Sequence, residues 1–144
     1  YKELIGEIYY ANNEYKKAIK YQKEAISENN EDNDLYLMMM GNYLLSLDEP
    51  EATYESINFL KKSIHINPKN AYSWYLVARA YSQIDNLALA NYATAERYFL
   101  IGERTLSYDF ATKAIKNIEE FSPEWYRSLD LIEILEKEVS TNRQ

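Results

Sequence analysis

A small residue recurs inside an apolar pattern at three places in this chain, Gly6, Gly41 and Ala78, and large residues recur around it. The first stretch carries Ile5-Gly6, Tyr9, Tyr15, Ala18, Tyr21 and Ala25. The second carries Met40-Gly41, Leu44, Ile57, Leu60, Ser63 and Pro68, and the third opens with Trp74, Val77-Ala78 and Tyr81. The intervals are 35 residues from Gly6 to Gly41 and 37 from Gly41 to Ala78. A period of this size marks stacked supersecondary units, each burying its apolar face only against its neighbours. The glycine or alanine of the first helix sits where two helices cross closely, and a larger side chain there would push them apart. Ala18 packs into the same crossing from the second helix, while Tyr9, Trp74 and Tyr81 fill the gaps beside the small residues. Pro68 stops a helix, because proline cannot continue the hydrogen-bond ladder.

The apolar spacing predicts eight helices, at about 1–12, 15–28, 34–47, 52–66, 71–84, 87–101, 104–120 and 123–139. Breakers are scarce, with Gly 3 and Pro 3, which argues for long helices with short connections rather than the many turns of a sandwich or barrel. Asp34, Asn70 and Asn86 stand at N-cap positions. Ser122-Pro123-Glu124 is a start signal of cap, proline and early acid, and Gly102 is a stop. Asn29 to Asn33 reads as a polar loop. The extra residues of the second interval are expected in the turn at Asp48-Glu49-Pro50. After Ala78 the repeat is irregular: Tyr92, Ala95 and Phe99 fit a second helix, yet Ala95, Tyr98 and Gly102 also fit a first helix followed by Ala111 and Ala114. Helix 87–101 fits both roles.

These repeats resemble the tetratricopeptide (TPR) family, whose period is about 34. The resemblance implies an all-α, TPR-like α-solenoid of about eight antiparallel helices, three repeats plus atypical closing helices. As one domain over 1–144 it has repeats at about 1–33, 34–70 and 71–106, closing helices at about 104–139 and a disordered tail at 140–144. The second half is similar to something narrower, the C-terminal TPR region of bacterial BepA-like HExxH zinc metallopeptidases. Trp74, Ala78, Ala80-Tyr81, Asp85, Ala90, Ala95-Glu96, Gly102-Glu103, Ala111, Ala114 and Ser122-Pro123 with Trp125 carry that similarity. It implies a bacterial, periplasmic, chaperone-like module beside a protease that acts in outer-membrane protein assembly and quality control. Ile, Asn, Lys and Tyr take places that are usually Ala, Leu or Arg in such regions. The alternatives are a stand-alone TPR adaptor in envelope assembly or secretion, and a cytoplasmic location. The chain opens at Tyr1 without an initiator methionine and already inside an amphipathic pattern, so it reads as a fragment with room for a signal or partner domain upstream.

Catalytic chemistry finds no foothold. There is no HExxH, no Gly-rich phosphate loop and no G-x-S-x-G elbow. The chain has no cysteine and a single histidine, His65, which has no second histidine or thiolate to help it hold zinc. His65 is read as a surface or partly packed residue near a helix C-terminus. Paired acids such as Glu3 and Glu7 read as a solvated face, since nothing marks a pocket that would split their pKa values. Catalytic residues, cofactors and metals are therefore expected to be none. The formal net charge of -7 argues against a nucleic-acid partner, and no apolar run approaches a membrane span of about 20 residues.

In TPR arrays the first helix of each unit lines a concave groove, so the expected partner is a protein or peptide held there, with the upstream protease domain as a further contact. The register gives Glu3, Glu7 and Tyr10 from the first unit, Met38, Asn42 and Leu45 from the second, and Tyr75, Arg79 and Ser82 from the third. An asparagine amide can pair with an extended backbone, and an arginine can fork onto a carboxylate. Glu3 and Glu7 argue against a carboxylate clamp. The chain has 15 tyrosines, mostly placed for packing, with some left for recognition. On the last helix Trp125, Leu129, Ile132, Leu135 and Val139 share the expected packing face, and Leu131 and Ile134 fall outside it. Those two either pack on helix 104–120 or meet a missing segment or a twin chain.

Overall fold

The structure, a computed structural model, describes residues 1–142. Eight helices fill them: α1 (Lys2–Ala11), α2 (Tyr15–Glu28), α3 (Asp34–Ser46), α4 (Pro50–Ile66), α5 (Ala71–Gln83), α6 (Leu87–Leu100), α7 (Arg104–Ile115) and α8 (Pro123–Asn142). Each packs on the next, and no strand occurs among the described residues. The chain is the all-α, TPR-like solenoid that its repeats predict.

Four turns share one conformation. Three residues join α1 to α2, α3 to α4, α5 to α6 and α6 to α7, and the middle one has positive φ: Asn13 at 61°, Asp48 at 51°, Asp85 at 59° and Gly102 at 84°. L-residues avoid this region, and Asn, Asp and Gly are the types that enter it most readily. After three of these turns an amide donates to the carbonyl five residues back, Glu14 to Tyr9, Asn86 to Tyr81 and Glu103 to Tyr98, each at 2.9 Å. Those bonds occupy carbonyls that the helix end leaves free.

The four turn residues follow Gly6, Gly41, Ala78 and Ala95 by the same seven positions. The fourth occurrence shows that α6 is used twice. It is the second helix of the α5–α6 hairpin and the first helix of the α6–α7 hairpin. Ser107 Oγ on α7 donates to the Ala95 carbonyl at 2.9 Å, as Ser56 Oγ on α4 donates to the Gly41 carbonyl at 2.6 Å. α8 touches α6 across that hairpin as α5 touches α3 across the earlier one. Small hydroxyl residues at these crossings permit close approach and also satisfy a buried carbonyl.

The core runs along the stack in overlapping clusters. Ala18, Met40, Tyr43 and Leu44 join α1 to α4; Leu60, Trp74, Leu76 and Val77 join α3 to α6; Ala95, Ala111, Leu131 and Leu135 join α6 to α8. Burying a side chain the size of Leu60 or Leu76 contributes roughly 1.5–3 kcal/mol relative to leaving it in water.

Several expectations need correction. Asn33, not Asp34, caps α3: its side chain accepts from the amides of Leu35 and Tyr36, and its φ of -113° and ψ of 118° are the extended values a cap needs. The extra residues of the second unit do not lengthen the turn at Asp48. Pro50 starts α4, and this helix has 17 residues where α2 and α6 have 14. α7 stops at Ile115 rather than 120, and a bend through Phe121, at φ 68°, precedes α8. The expected face of α8 is rotated: Ser128, Leu131 and Leu135 are buried, while Trp125, Leu129 and Ile132 are half-buried. Leu131 thus belongs to the core, and Ile134 stays exposed. α8 continues to Asn142, so 140–142 are helical rather than tail; 143–144 and the Val139 side chain lie outside the described residues.

Candidate peptide-binding face

The first helices α1, α3 and α5 carry the residues expected to meet a partner. Glu7 is exposed and Glu3 is partly so. Tyr10 is half-buried and held by α3: its ring stacks on Tyr43 at 4.7 Å between centroids, and its hydroxyl accepts from Ser46 Oγ at 3.2 Å. Burial pushes the Tyr43 hydroxyl up to about 12, with Glu7 and Tyr10 adding to the rise. These residues close the α1–α3 seam and leave Glu7 free to meet solvent or a partner.

Met38 and Asn42 lie half-buried on α3. The Met38 sulfur accepts from the Asn70 amide at 3.4 Å, so its position is tied to the cap of α5. The Asn42 side-chain amide makes no hydrogen bond to protein among the described residues and can pair with a ligand. Leu45, expected beside them, is 1% exposed and packs in the core with Trp74 and Leu76 instead. One helical turn beyond Gly41, it lies on the side of α3 that α5 covers.

On α5, Arg79 and Ser82 are exposed and Tyr75 is half-buried. Tyr75 sits beneath two guanidinium groups, Arg79 with its Cζ 5.9 Å from the ring centroid and Arg97 at 4.7 Å. Such contacts contribute about 0.5–1 kcal/mol at exposed sites. Arg97 was absent from the sequence expectation. Its signal is the small residue it replaces: the corresponding places on α2 and α4 hold Ala25 and Ser63, both buried. On α6 that place is free for a long cation because α7 packs elsewhere.

The α1–α3–α5 face therefore runs from acid at Glu3 and Glu7, through the amide of Asn42, to the Arg79–Tyr75–Arg97 group. Two open clefts lie away from it. One of about 360 Å³ opens beside Tyr15, Lys17 and Leu47, and another of about 230 Å³ lies between Trp74, Tyr81 and Tyr92. His65 is exposed at the end of α4. Among the described residues no group of three or more His, Cys, Asp or Glu could hold a metal ion, and no helix is long and apolar enough to cross a membrane.

Paired helices with an open polar face and small residues at the crossings define an α-solenoid scaffold for protein–protein interaction. Residues 59–97, from the second half of α4 through most of α6, match the family model for the tetratricopeptide repeat. No curated protein matches the chain.

Proposed function

We propose that this scaffold is the non-catalytic, C-terminal TPR region of a periplasmic zinc metallopeptidase concerned with outer-membrane protein assembly or quality control. The α1–α3–α5 face holds unfolded or partly assembled outer-membrane protein, or docks the assembly machinery, close to the protease. The observation behind this reading is the irregular second half. Ala95-Glu96, Gly102-Glu103, Ala111, Ala114 and the Ser122-Pro123-x-Trp125 start of α8 resemble the closing helices of that protease family more than they resemble a generic repeat. The acid, amide and guanidinium groups of the α1–α3–α5 face supply polar contacts suited to an extended chain.

Two experiments test the two levels of the proposal. The coding sequence upstream of Tyr1 should carry an HExxH segment; without one, the protease assignment fails and a stand-alone adaptor for envelope assembly or secretion takes its place. Asn42→Ala combined with Arg79→Ala should weaken partner binding while leaving the thermal unfolding transition in place. Unchanged affinity moves the binding surface off this face.

A further inference from the structure

The double use of α6 brings α8 across the side of α5 that faces away from Tyr75 and Arg79. The start of α8 and the connection that leads to it from α7 there close a two-chambered cleft against α4, α5 and α6. The apolar chamber, about 230 Å³, is walled by Ile64, Trp74, Val77, Tyr81 and Tyr92. The other, about 250 Å³, is more polar and is lined by Asn86, Asn117, Glu119 and Ser122. Lys61, Tyr81 and Glu124 border both.

The walls are fixed. The Trp74 indole N–H donates to the Pro68 carbonyl at 2.9 Å, and its ring meets Tyr92 edge-on at 5.7 Å and 83°. The Tyr92 hydroxyl donates to Glu96 Oε2 at 3.4 Å, and Arg127 holds the other oxygen of that carboxylate at 3.0 Å. Asn86 Oδ1 and Ser122 Oγ are taken as caps by the amides of Leu89 and Trp125, whereas Glu124 and Tyr81 are not consumed. Among the described residues the Glu124 carboxylate has no ion pair or hydrogen bond to a side chain, and the Tyr81 hydroxyl has no hydrogen bond to protein. Glu124 is half-buried; it raises the pKa of Tyr81 after burial itself, and adds a smaller rise at Tyr92 behind burial and Glu96. The Tyr81 hydroxyl, pushed up to about 12, is neutral at physiological pH and able to accept or donate. Lys61 and His65 are both exposed, at the outer edge on α4.

A half-buried carboxylate beside a free phenol and three aromatic walls is complementary to a cation on an apolar stem. We propose that this cleft receives the side chain of a lysine or arginine presented by a partner protein. The stem lies along Trp74, Val77 and Tyr92, the cationic head reaches Glu124 and the Tyr81 hydroxyl, and the flanking main chain crosses the polar chamber at Asn86 and Asn117. Lys61 meets a main-chain carbonyl at the rim. This site lies on a different face from the α1–α3–α5 surface and does not depend on it.

The test uses the full chain, ¹⁵N-labelled, titrated with acetyl-Gly-Lys-Gly-amide, its arginine counterpart and the neutral norleucine analogue. The lysine and arginine peptides should shift the Trp74 indole resonance, assigned with Trp125→Phe, together with the amides of Tyr81, Tyr92 and Glu124. Norleucine should bind about tenfold more weakly, and Glu124→Gln should bring the lysine peptide down to the norleucine level. Tyr81→Phe keeps the wall and should weaken the lysine peptide more than norleucine. Equal binding of lysine and norleucine, or no shift at Trp74 at millimolar peptide, overturns the proposal. So does loss of the lysine response in the Asn42→Ala, Arg79→Ala variant, which would place the peptide on the other face.

Discussion

Arg127 on α8 clasps Glu96 on α6, its Nε and Nη2 both 3.0 Å from the same carboxylate oxygen. Glu96 is only 8% exposed, so this pair anchors the last helix to the helix shared by two hairpins. Arg127→Ala strands a nearly buried carboxylate, with Tyr92 as its remaining partner. We expect a loss of about 2 kcal/mol, below the cost of breaking a fully buried pair because the guanidinium is partly solvated. Glu96→Gln should cost less, since it keeps shape and removes the charge. Urea unfolding of both single variants and the double variant measures the coupling, and additivity would show that the pair does not hold α8.

The two helical glycines should respond oppositely to one methyl group. A Cβ on Gly41 would lie 2.5 Å from Leu60 Cγ and 2.7 Å from its Cδ2, and Leu60 is fully buried. Gly41→Ala should destabilise by about 1–3 kcal/mol through overpacking. A Cβ on Gly6 meets nothing closer than the Ala18 carbonyl oxygen at 3.4 Å. Gly6→Ala should be neutral or stabilising by up to about 1 kcal/mol, from reduced backbone freedom in the unfolded chain. Thermal melts of the two variants decide the matter; equal shifts would mean that the crossings are alike.

Tyr43 carries a buried hydroxyl that has no hydrogen-bond partner in the protein. Tyr43→Phe should stabilise the fold by about 1 kcal/mol at neutral pH by removing that unsatisfied group. The same burial raises its pKa from 10.0 to about 12, and Tyr81 behaves likewise. The folded state therefore favours the neutral phenols. Their contribution is complete below about pH 10 and declines as the pH climbs toward 12. Chemical denaturation at mildly and strongly alkaline pH should show this decline, and Tyr43→Phe should lessen it. An unchanged slope would remove Tyr43 as its source.

Positive φ makes a further pair of variants informative. Gly102, at φ 84°, has nothing within 4 Å of the place a Cβ would take, so Gly102→Ala isolates backbone strain and should cost about 1 kcal/mol. Phe121 adopts φ 68° with 64% of its surface exposed, and its ring meets Trp125 at 5.3 Å. Phe121→Gly relieves about 1–2 kcal/mol of strain and loses that aromatic contact, so a net gain of a few tenths to about 1 kcal/mol is expected. A clear loss in calorimetry would mean that the ring contact outweighs the strain.

The helical pairing was readable because Gly6, Gly41 and Ala78 recur at intervals of 35 and 37 residues, and the structure adds a positive-φ Asn or Asp seven positions after each. Those residues mark the crossing and the turn, and both are local requirements. The Asn70 and Asn86 caps and the Ser122-Pro123 start were legible for the same reason. The choice between Asn33 and Asp34 was not, since either side chain can cap and only the backbone angles decide. The face of α8 escaped because apolar residues occupy most of its circumference. Ser128, 0% exposed, fixes the crossing there, and a small polar residue gives no hydrophobic signal. Of the residues taken from register, Asn42 is half-buried on α3 and Arg79 exposed on α5, whereas Tyr10 is held in the α1–α3 seam against Tyr43. Arg97 and the α8 cleft could not be placed from register, because both follow from α6 taking part in two hairpins.

That sharing also sets how the molecule comes apart. In an ordinary array each hairpin can melt with only its neighbours noticing. Here α6 cannot leave without exposing Ala93 to the α5 side and Ala95 to the α7 side, both of which are 0% exposed in the folded chain. Helices α5 to α8 should therefore open as a single cooperative block, with amide exchange rates that converge on one value. α1 buries only Gly6 completely, so the first hairpin is the natural site of early fraying.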